Sequence, residues 1–301
     1  MKIAIAGGSG MIGNELMKRF KKDHHSLIVL TRNPSTDRDA DGVRYVKWLD
    51  DNSEEVAHEL EGVDAIINLA GRSINDGRWT KEERRSIYTS RINASNELVR
   101  IVDQMKKAPK VIVQASAIGV YHTSKTKEYH EGSSTEGREF LQIVVRDWER
   151  ALEPLQQKTR VVYARLGVVL HPTEGAFPLM KLPYQLFAGG TIASGEQWVS
   201  WVHIDDVVGA FDTMLKDEAL FGPVNVTAPY PVRMKQFGKA IGHALHRPHY
   251  FPVPKPLLEI VLGRKNEIIT KGQCAKPRVL QRAQFHFNYP TIDSALRQLT
   301  K

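Results

Sequence analysis

A glycine string at the amino end offers the clearest chemistry in this sequence. Ala6-Gly7-Gly8-Ser9-Gly10-Met11-Ile12-Gly13 contains Gly8-x-Gly10-x-x-Gly13 and, in the same stretch, Gly7-x-x-Gly10-x-x-Gly13. Glycines so spaced let a chain turn sharply from strand into helix and bring backbone up to a pyrophosphate without a Cβ in the way. A helix starting there offers unbonded N–H groups and a positive dipole end to an anion. About 20 residues past the turn, where a carboxylate would take the ribose 2′-hydroxyl of NAD, stands Leu30-Thr31-Arg32-Asn33, with no carboxylate until Asp37. The Arg32 guanidinium suits a 2′-phosphate through forked, charge-assisted hydrogen bonds, and Thr31 adds a hydroxyl. That exchange points to NADP(H); the alternative is an Arg32 that only faces solvent.

The elements needed to hold such a turn are legible around it. Lys2–Ala6 is a continuous apolar strand and Met11–Lys22 an amphipathic helix; Ser26–Thr31, Val43–Lys47 and residues 65–69 give three more strands. A long helical region over 81–107 is stopped by Pro109, a fifth strand follows at 111–115, and a helix with Phe140, Ile143, Val144 and Trp148 on one face leads to a sixth, Arg160–Leu166. Alternating strand and helix is the rhythm of a parallel sheet, and strands this apolar are covered on both faces. The expected fold is therefore α/β, a Rossmann-type doubly wound parallel sheet with a smaller C-terminal α/β lobe. Beyond Leu170 the rhythm breaks into Pro- and Gly-rich loops around Pro172, Gly175, Pro178, Pro183, Gly189 and Gly190. Helices are expected from His203–Asp206 to Lys216, over 233–246 and over 255–263. Residues 1–170 form the expected NADP-binding domain, with segments from 200–228 able to complete its sheet, and 171–301 the substrate-side lobe.

Composition narrows the classes. With 301 residues, 42% hydrophobic and 25% charged, the chain has the balance of an ordinary globular protein, which excludes wholesale disorder, collagen and disulfide-stapled mini-proteins. The single Cys274 forms no internal disulfide and excludes a Cys-based zinc site; no metal is expected. The net charge of +8 suits anionic ligands, nucleic acid included. Yet the basic segments 81–91 and 271–282 carry Glu82 and Glu83 or are broken by Pro277, so they read as solvated faces and not as a nucleic-acid stripe. No window approaches the roughly 20 uninterrupted apolar residues of a membrane helix, and the amino end lacks a signal peptide's apolar stretch. A soluble, cytoplasmic protein is expected, with neither nucleic acid nor membrane as partner.

The glycine string together with Asn68-Leu69-Ala70-Gly71 resembles the extended short-chain dehydrogenase/reductase superfamily, and within it the atypical group called epimerase family proteins, relatives of sugar-nucleotide epimerases. Further matching segments are Trp79 with Ser90-Arg91, the run from Ala115 to Tyr121, Arg165-Leu166-Gly167-Val168-Val169-Leu170, Ser200-Trp201-Val202-His203-Ile204-Asp205-Asp206 and Gly222-Pro223-Val224-Asn225. From Val253-Pro254 to Phe287-Asn288-Tyr289-Pro290 the chain resembles a small domain of unknown function found in that group. The resemblance implies that Gly7, Gly10, Met11, Ile12 and Gly13 line the pyrophosphate and that Thr31 and Arg32 hold the 2′-phosphate. It places Leu69 and Ala70 on the adenosine side and Val168 and Val169 beside the nicotinamide. Arg91 becomes a cofactor contact, the other reading being a helix-surface salt bridge. A small-molecule substrate and a homodimer are both compatible with this group.

The resemblance also shows what is missing. The reductases use a tyrosine hydroxyl, its pKa lowered from about 10 by a lysine four residues later on the same helix face, and a serine that orients the substrate. Aligned on Glu149, those two helix positions hold Leu141 and Val145, neither of which moves a proton. The one literal Tyr-x-x-x-Lys, from Tyr121 to Lys125, falls in a polar loop. Ala117 occupies the serine's place, leaving Ser116 and Tyr121 as the candidate catalytic hydroxyls. Asp205 is expected to cap the helix that follows it, with His203 half-buried at its entry. Two functions stay open: an NADP(H)-dependent oxidoreductase or epimerase-like enzyme, and a catalytically inactive NADP(H)-binding sensor or scaffold.

Overall fold

The computed structural model describes residues 1–34, 42–75, 77, 79–250 and 270–301. The helix expected over 255–263, the start of the resembling C-terminal segment at Val253-Pro254, and Asp37 lie outside them.

Seven strands among the described residues form one parallel sheet: β1 (Lys2–Ala6), β2 (Ser26–Thr31), β3 (Val43–Lys47), β4 (Ala65–Asn68), β5 (Val111–Ala117), β7 (Arg160–Leu166) and β11 (Gly222–Val226). Their order is β11-β7-β5-β4-β1-β2-β3. The period of two along a strand sorts side chains between the two layers. Ile3, Ile5, Leu27 and Val29 face a core shared with α1 (Met11–Lys22) and α6 (Ile204–Lys216). Ala4, Ala6, Ile28 and Leu30 face the opposite core, shared with α2 (Ser53–Glu59) and α3 (Lys81–Gln104). The strand order reverses direction between β1 and β4, and ligands of open parallel sheets bind outside the strands' carboxyl ends at such a point. The glycine turn after β1 lies there.

Between and beyond the sheet strands run β6 (Glu128–Tyr129), α4 (Phe140–Arg150), β8 (Val168–Leu170), α5 (Phe177–Gln185), β9 (Trp198–Val199), β10 (Trp201–His203), β12 (Val232–Arg233), α7 (Met234–Ala244), β13 (Cys274–Ala275), α8 (Arg278–Arg282) and α9 (Ile292–Leu299). β8 pairs with β10, β9 with β12 and β6 with β13 as short two-stranded ribbons. A third core of Leu170, Phe177, Trp201, Phe237 and Leu296 binds α5, α7 and α9 into the smaller lobe.

Several boundaries differ from the sequence expectation. β4 ends at Asn68, α3 at Gln104 and α7 at Ala244, while β5 runs on to Ala117. The sheet also takes β11 from within 200–228, the stretch expected to be able to complete it. The cap of α6 is His203 and not Asp205: the ring accepts the Asp205 N–H through Nδ1 at 3.1 Å, so Asp205 stands inside the first turn. His203 is fully buried, not half-buried, with Nε2 on Gln298 Oε1 at 2.9 Å and the Tyr289 ring 3.9 Å away.

Candidate cofactor site

Two of the cradle glycines have a spatial reason of their own. Gly7 has φ +79°, and a Cβ there would sit 2.9 Å from the Leu69 carbonyl, so the turn and β4 can only meet over hydrogen. A Cβ on Gly13 would lie 2.5 Å from the Gly7 carbonyl oxygen, which is how the first turn of α1 seats itself on the loop. A Cβ on Gly10 would meet only the Gly7 carbonyl oxygen, at an ordinary 3.5 Å, and Gly10 caps α1 with no side-chain bond. The helix's first N–H groups, at Met11, Ile12 and Gly13, have no partner within the helix and none from a cap, which suits a bound anion.

The other expected contacts converge on this edge. Leu69 N–H bonds the Ala6 carbonyl at 2.9 Å, and Ala70 N–H bonds Asn68 Oδ1 at 3.1 Å, which pins the loop after β4 beside Gly7. Thr31 ends β2 next door and Arg32 follows it; Arg32 is exposed and among the described residues has no ion pair. The loop that follows Val168 and Val169 meets Met11 of the cradle. At Gly175, φ +73°, a Cβ would come 3.1 Å from Met11 Sδ and 3.9 Å from the Val169 carbonyl.

Among the described residues Arg91 makes no ion pair, which does not favour the surface salt-bridge reading. Its Nη1 donates to the carbonyls of Arg72 and Ile87, both at 2.9 Å, and its guanidinium lies 4.9 Å from the Trp148 ring. It packs beneath Gly71, and burial without a counter-charge pushes its pKa down to about 10. A guanidinium desolvated this far gains from an anion at the loop after β4.

The end of β5 is built on opposite lines. Ser116 is 2% exposed and its hydroxyl donates to Glu149 Oε1 at 2.6 Å. Glu149, on α4, takes both prongs of Arg165 from β7, Nε at 2.8 Å and Nη2 at 2.7 Å. Arg165 Nη1 donates to the Tyr121 hydroxyl at 3.0 Å, and that hydroxyl donates to Asn225 Oδ1 at 2.8 Å. Tyr121 is 0% exposed, and burial holds its phenol above the ordinary value. Both candidate catalytic hydroxyls, Ser116 and Tyr121, are thus engaged in a buried hydrogen-bonded network. Leu141 and Val145 occupy the proton-transfer face of α4 and pack against Gly119, 3.6 Å and 4.0 Å from where its Cβ would be. Sequence reading used Glu149 only as a register mark and missed its pairing with Arg165. The available signal was a lone arginine inside an apolar strand, which demands a buried counter-ion.

A parallel sheet whose strand reversal carries a glycine cradle defines a Rossmann-type dinucleotide-binding protein. Within that class the chain belongs to the NAD dependent epimerase/dehydratase family, which its residues 3–226 match, followed over 253–299 by a domain of unknown function, DUF1731. It is 41% identical to the epimerase family protein YfhF of Bacillus subtilis over 300 residues, 99% of this chain and 98% of that one. The human epimerase family protein SDR39U1, solved with NADPH, superposes with a TM-score of 0.91 at 29% identity, over 100% of this chain and 99% of that one. UDP-glucose 4-epimerase of Thermotoga maritima shares the fold alone, with a TM-score of 0.77 at 15% identity, over 100% of this chain and 97% of that one.

Proposed function

We propose that this chain binds NADP(H) across the β1–β4 edge and works as an oxidoreductase or epimerase-like enzyme on a small molecule held beneath the C-terminal lobe. The observation that carries the cofactor reading is the uncapped first turn of α1, with two guanidinium groups, Arg32 and Arg91, that have no carboxylate partner among the described residues. Met11, Ile12 and Gly13 would hold the pyrophosphate by backbone N–H groups, with Arg91 as a further cation at the loop after β4. Thr31 and Arg32 would take the 2′-phosphate, an acceptor-rich group that a forked donor suits. Leu69 and Ala70 would border the adenosine, and Val168 and Val169 the nicotinamide. When bound, the nicotinamide supplies or accepts a hydride, and the protein contributes position and polarity. The human relative's NADPH supports the choice of the phosphorylated cofactor.

Leu141 and Val145 cannot form an acid–base pair, which favours a simple reduction or oxidation over epimerisation, because an epimerase also needs a proton shuttle. The test is NADPH consumption against a panel of ketones, aldehydes and sugar nucleotides, with cofactor binding followed separately by tryptophan-to-nicotinamide energy transfer. Turnover with one class supports the enzyme reading. Tight cofactor binding with no turnover across the panel would replace it with the sensor.

A further inference from the structure

Residues 272–279 cross the carboxyl edge of the sheet with little regular structure of their own, yet polar groups of the main body fasten almost every step. Ser124 N–H bonds the Gly272 carbonyl at 3.1 Å. The Ser200 hydroxyl donates to the Gln273 carbonyl at 2.8 Å and accepts the Ala275 N–H at 2.9 Å. The Thr227 hydroxyl donates to the Ala275 carbonyl at 3.1 Å, Asn225 Nδ2 to the Lys276 carbonyl at 2.9 Å, and Val279 N–H to Glu131 Oε1 at 3.1 Å. A Cβ on Gly272 would fall 2.0 Å from the Trp198 carbonyl, so this path is open only to glycine.

Asn225 joins this segment to the network under β5. Its Nδ2 holds the segment while its Oδ1 accepts the Tyr121 hydroxyl, from which Arg165 and Glu149 lead to Ser116. Gln273 Nε2 adds a second link, donating to the Tyr121 carbonyl at 3.2 Å. Asn225, Tyr121 and Ser116 are at most 2% exposed. Water cannot readily replace a lost partner there, so a buried hydrogen-bonded chain of this kind favours one arrangement of its members.

We propose that residues 272–279, in the region matched by the domain of unknown function, are a strap that positions the carboxyl end of β5 through Asn225, Tyr121, Arg165 and Glu149. Its consequence for cofactor binding rests on the reading of that edge given above. The test is Ser200→Ala in the full chain, which removes two strap bonds and none of the inner path. Its control is Val56→Ala in the opposite layer, at conditions of matched loss in unfolding midpoint. Hydrogen exchange at residues 115–121 is expected to speed about tenfold in Ser200→Ala and not in the control, with NADPH affinity falling about fivefold as the edge loosens. Thr227→Val, which removes one strap bond at nearly constant shape, gives a smaller change in the same direction and serves if Ser200→Ala does not fold. Equal exchange at 115–121 in the strap variants and the matched control overturns the strap. Failure of the wild type to bind NADPH overturns the cofactor reading instead and leaves the exchange comparison valid.

Discussion

The carboxyl edge of this sheet carries two polar regions solved in opposite ways. Around Gly7–Gly13 the start of α1 has no side-chain cap, and among the described residues neither Arg32 nor Arg91 is paired with a carboxylate, Arg91 donating only to backbone carbonyls. Around Ser116–Tyr121 every hydroxyl, the Arg165 guanidinium and the Glu149 carboxylate are consumed by one another. Leaving donors unpaired lowers stability unless something else binds them, whereas a closed network fixes geometry. The difference teaches that the first region has donors to offer a ligand, whereas the second, where family pattern places chemistry, spends its polar groups on the protein itself.

The sharpest way to break this contrast is to fill the cradle. Gly13→Val puts side-chain atoms where the Gly7 carbonyl already stands, and should cost at least about a hundredfold in NADPH affinity by calorimetry. An affinity within a few-fold of wild type would show that the cradle is not the phosphate site. Next comes the closed region. Glu149→Gln leaves Arg165, 5% exposed, without its counter-charge, a change that costs about 3–5 kcal/mol. The unfolding midpoint should fall by roughly 10 °C, and a midpoint within a degree or so of wild type would mean the pair is not holding this edge.

How far the sequence anticipated these two regions follows from the range of the forces involved. The cradle was legible because strand, turn and helix start are set within a dozen consecutive residues, and Arg32 follows one strand later. The apolar strands were legible because burial on both faces leaves little choice of residue. The closed network was not, since Ser116, Glu149, Arg165 and Asn225 meet only through the strand order β11-β7-β5, which the chain reaches after long crossovers. His203 as a cap was hidden likewise. An imidazole is an uncommon cap, and its acceptor role depends on Gln298 engaging the other ring nitrogen from the far end of the chain.

Two milder effects sharpen the comparison. Arg32→Asp should reverse the preference for NADPH over NADH, with a loss of roughly 10–100-fold in NADPH affinity from the removed charge-assisted bonds. Tyr121→Phe, by contrast, should leave NADPH affinity within about threefold of wild type while lowering the unfolding midpoint by a few degrees, about what one or two buried hydrogen bonds contribute. Loss of turnover at full cofactor affinity and full stability would restore Tyr121 as a proton donor.

The smallest effect is expected from pH. Burial holds the His203 imidazole below its ordinary value of 6.5, so the unfolded chain takes up the proton more readily than the folded one. The stability this group contributes is complete above that ordinary value and is lost as pH falls beneath it. Thermal midpoints at pH 7.5 and about 5 should therefore separate by a few degrees more in the wild type than in His203→Asn, which keeps a cap acceptor but does not titrate. An identical pH dependence in the two proteins would show that the cap does not sense protons.

The most direct test of the whole account is a calorimetric titration of the wild-type chain with NADPH and, in parallel, with NADH. The uncapped helix start and the basic residues at the β1–β4 edge predict one cofactor per chain and NADPH bound at least about tenfold more tightly than NADH. Heat from neither dinucleotide on folded protein, or NADH bound the more tightly, would contradict it.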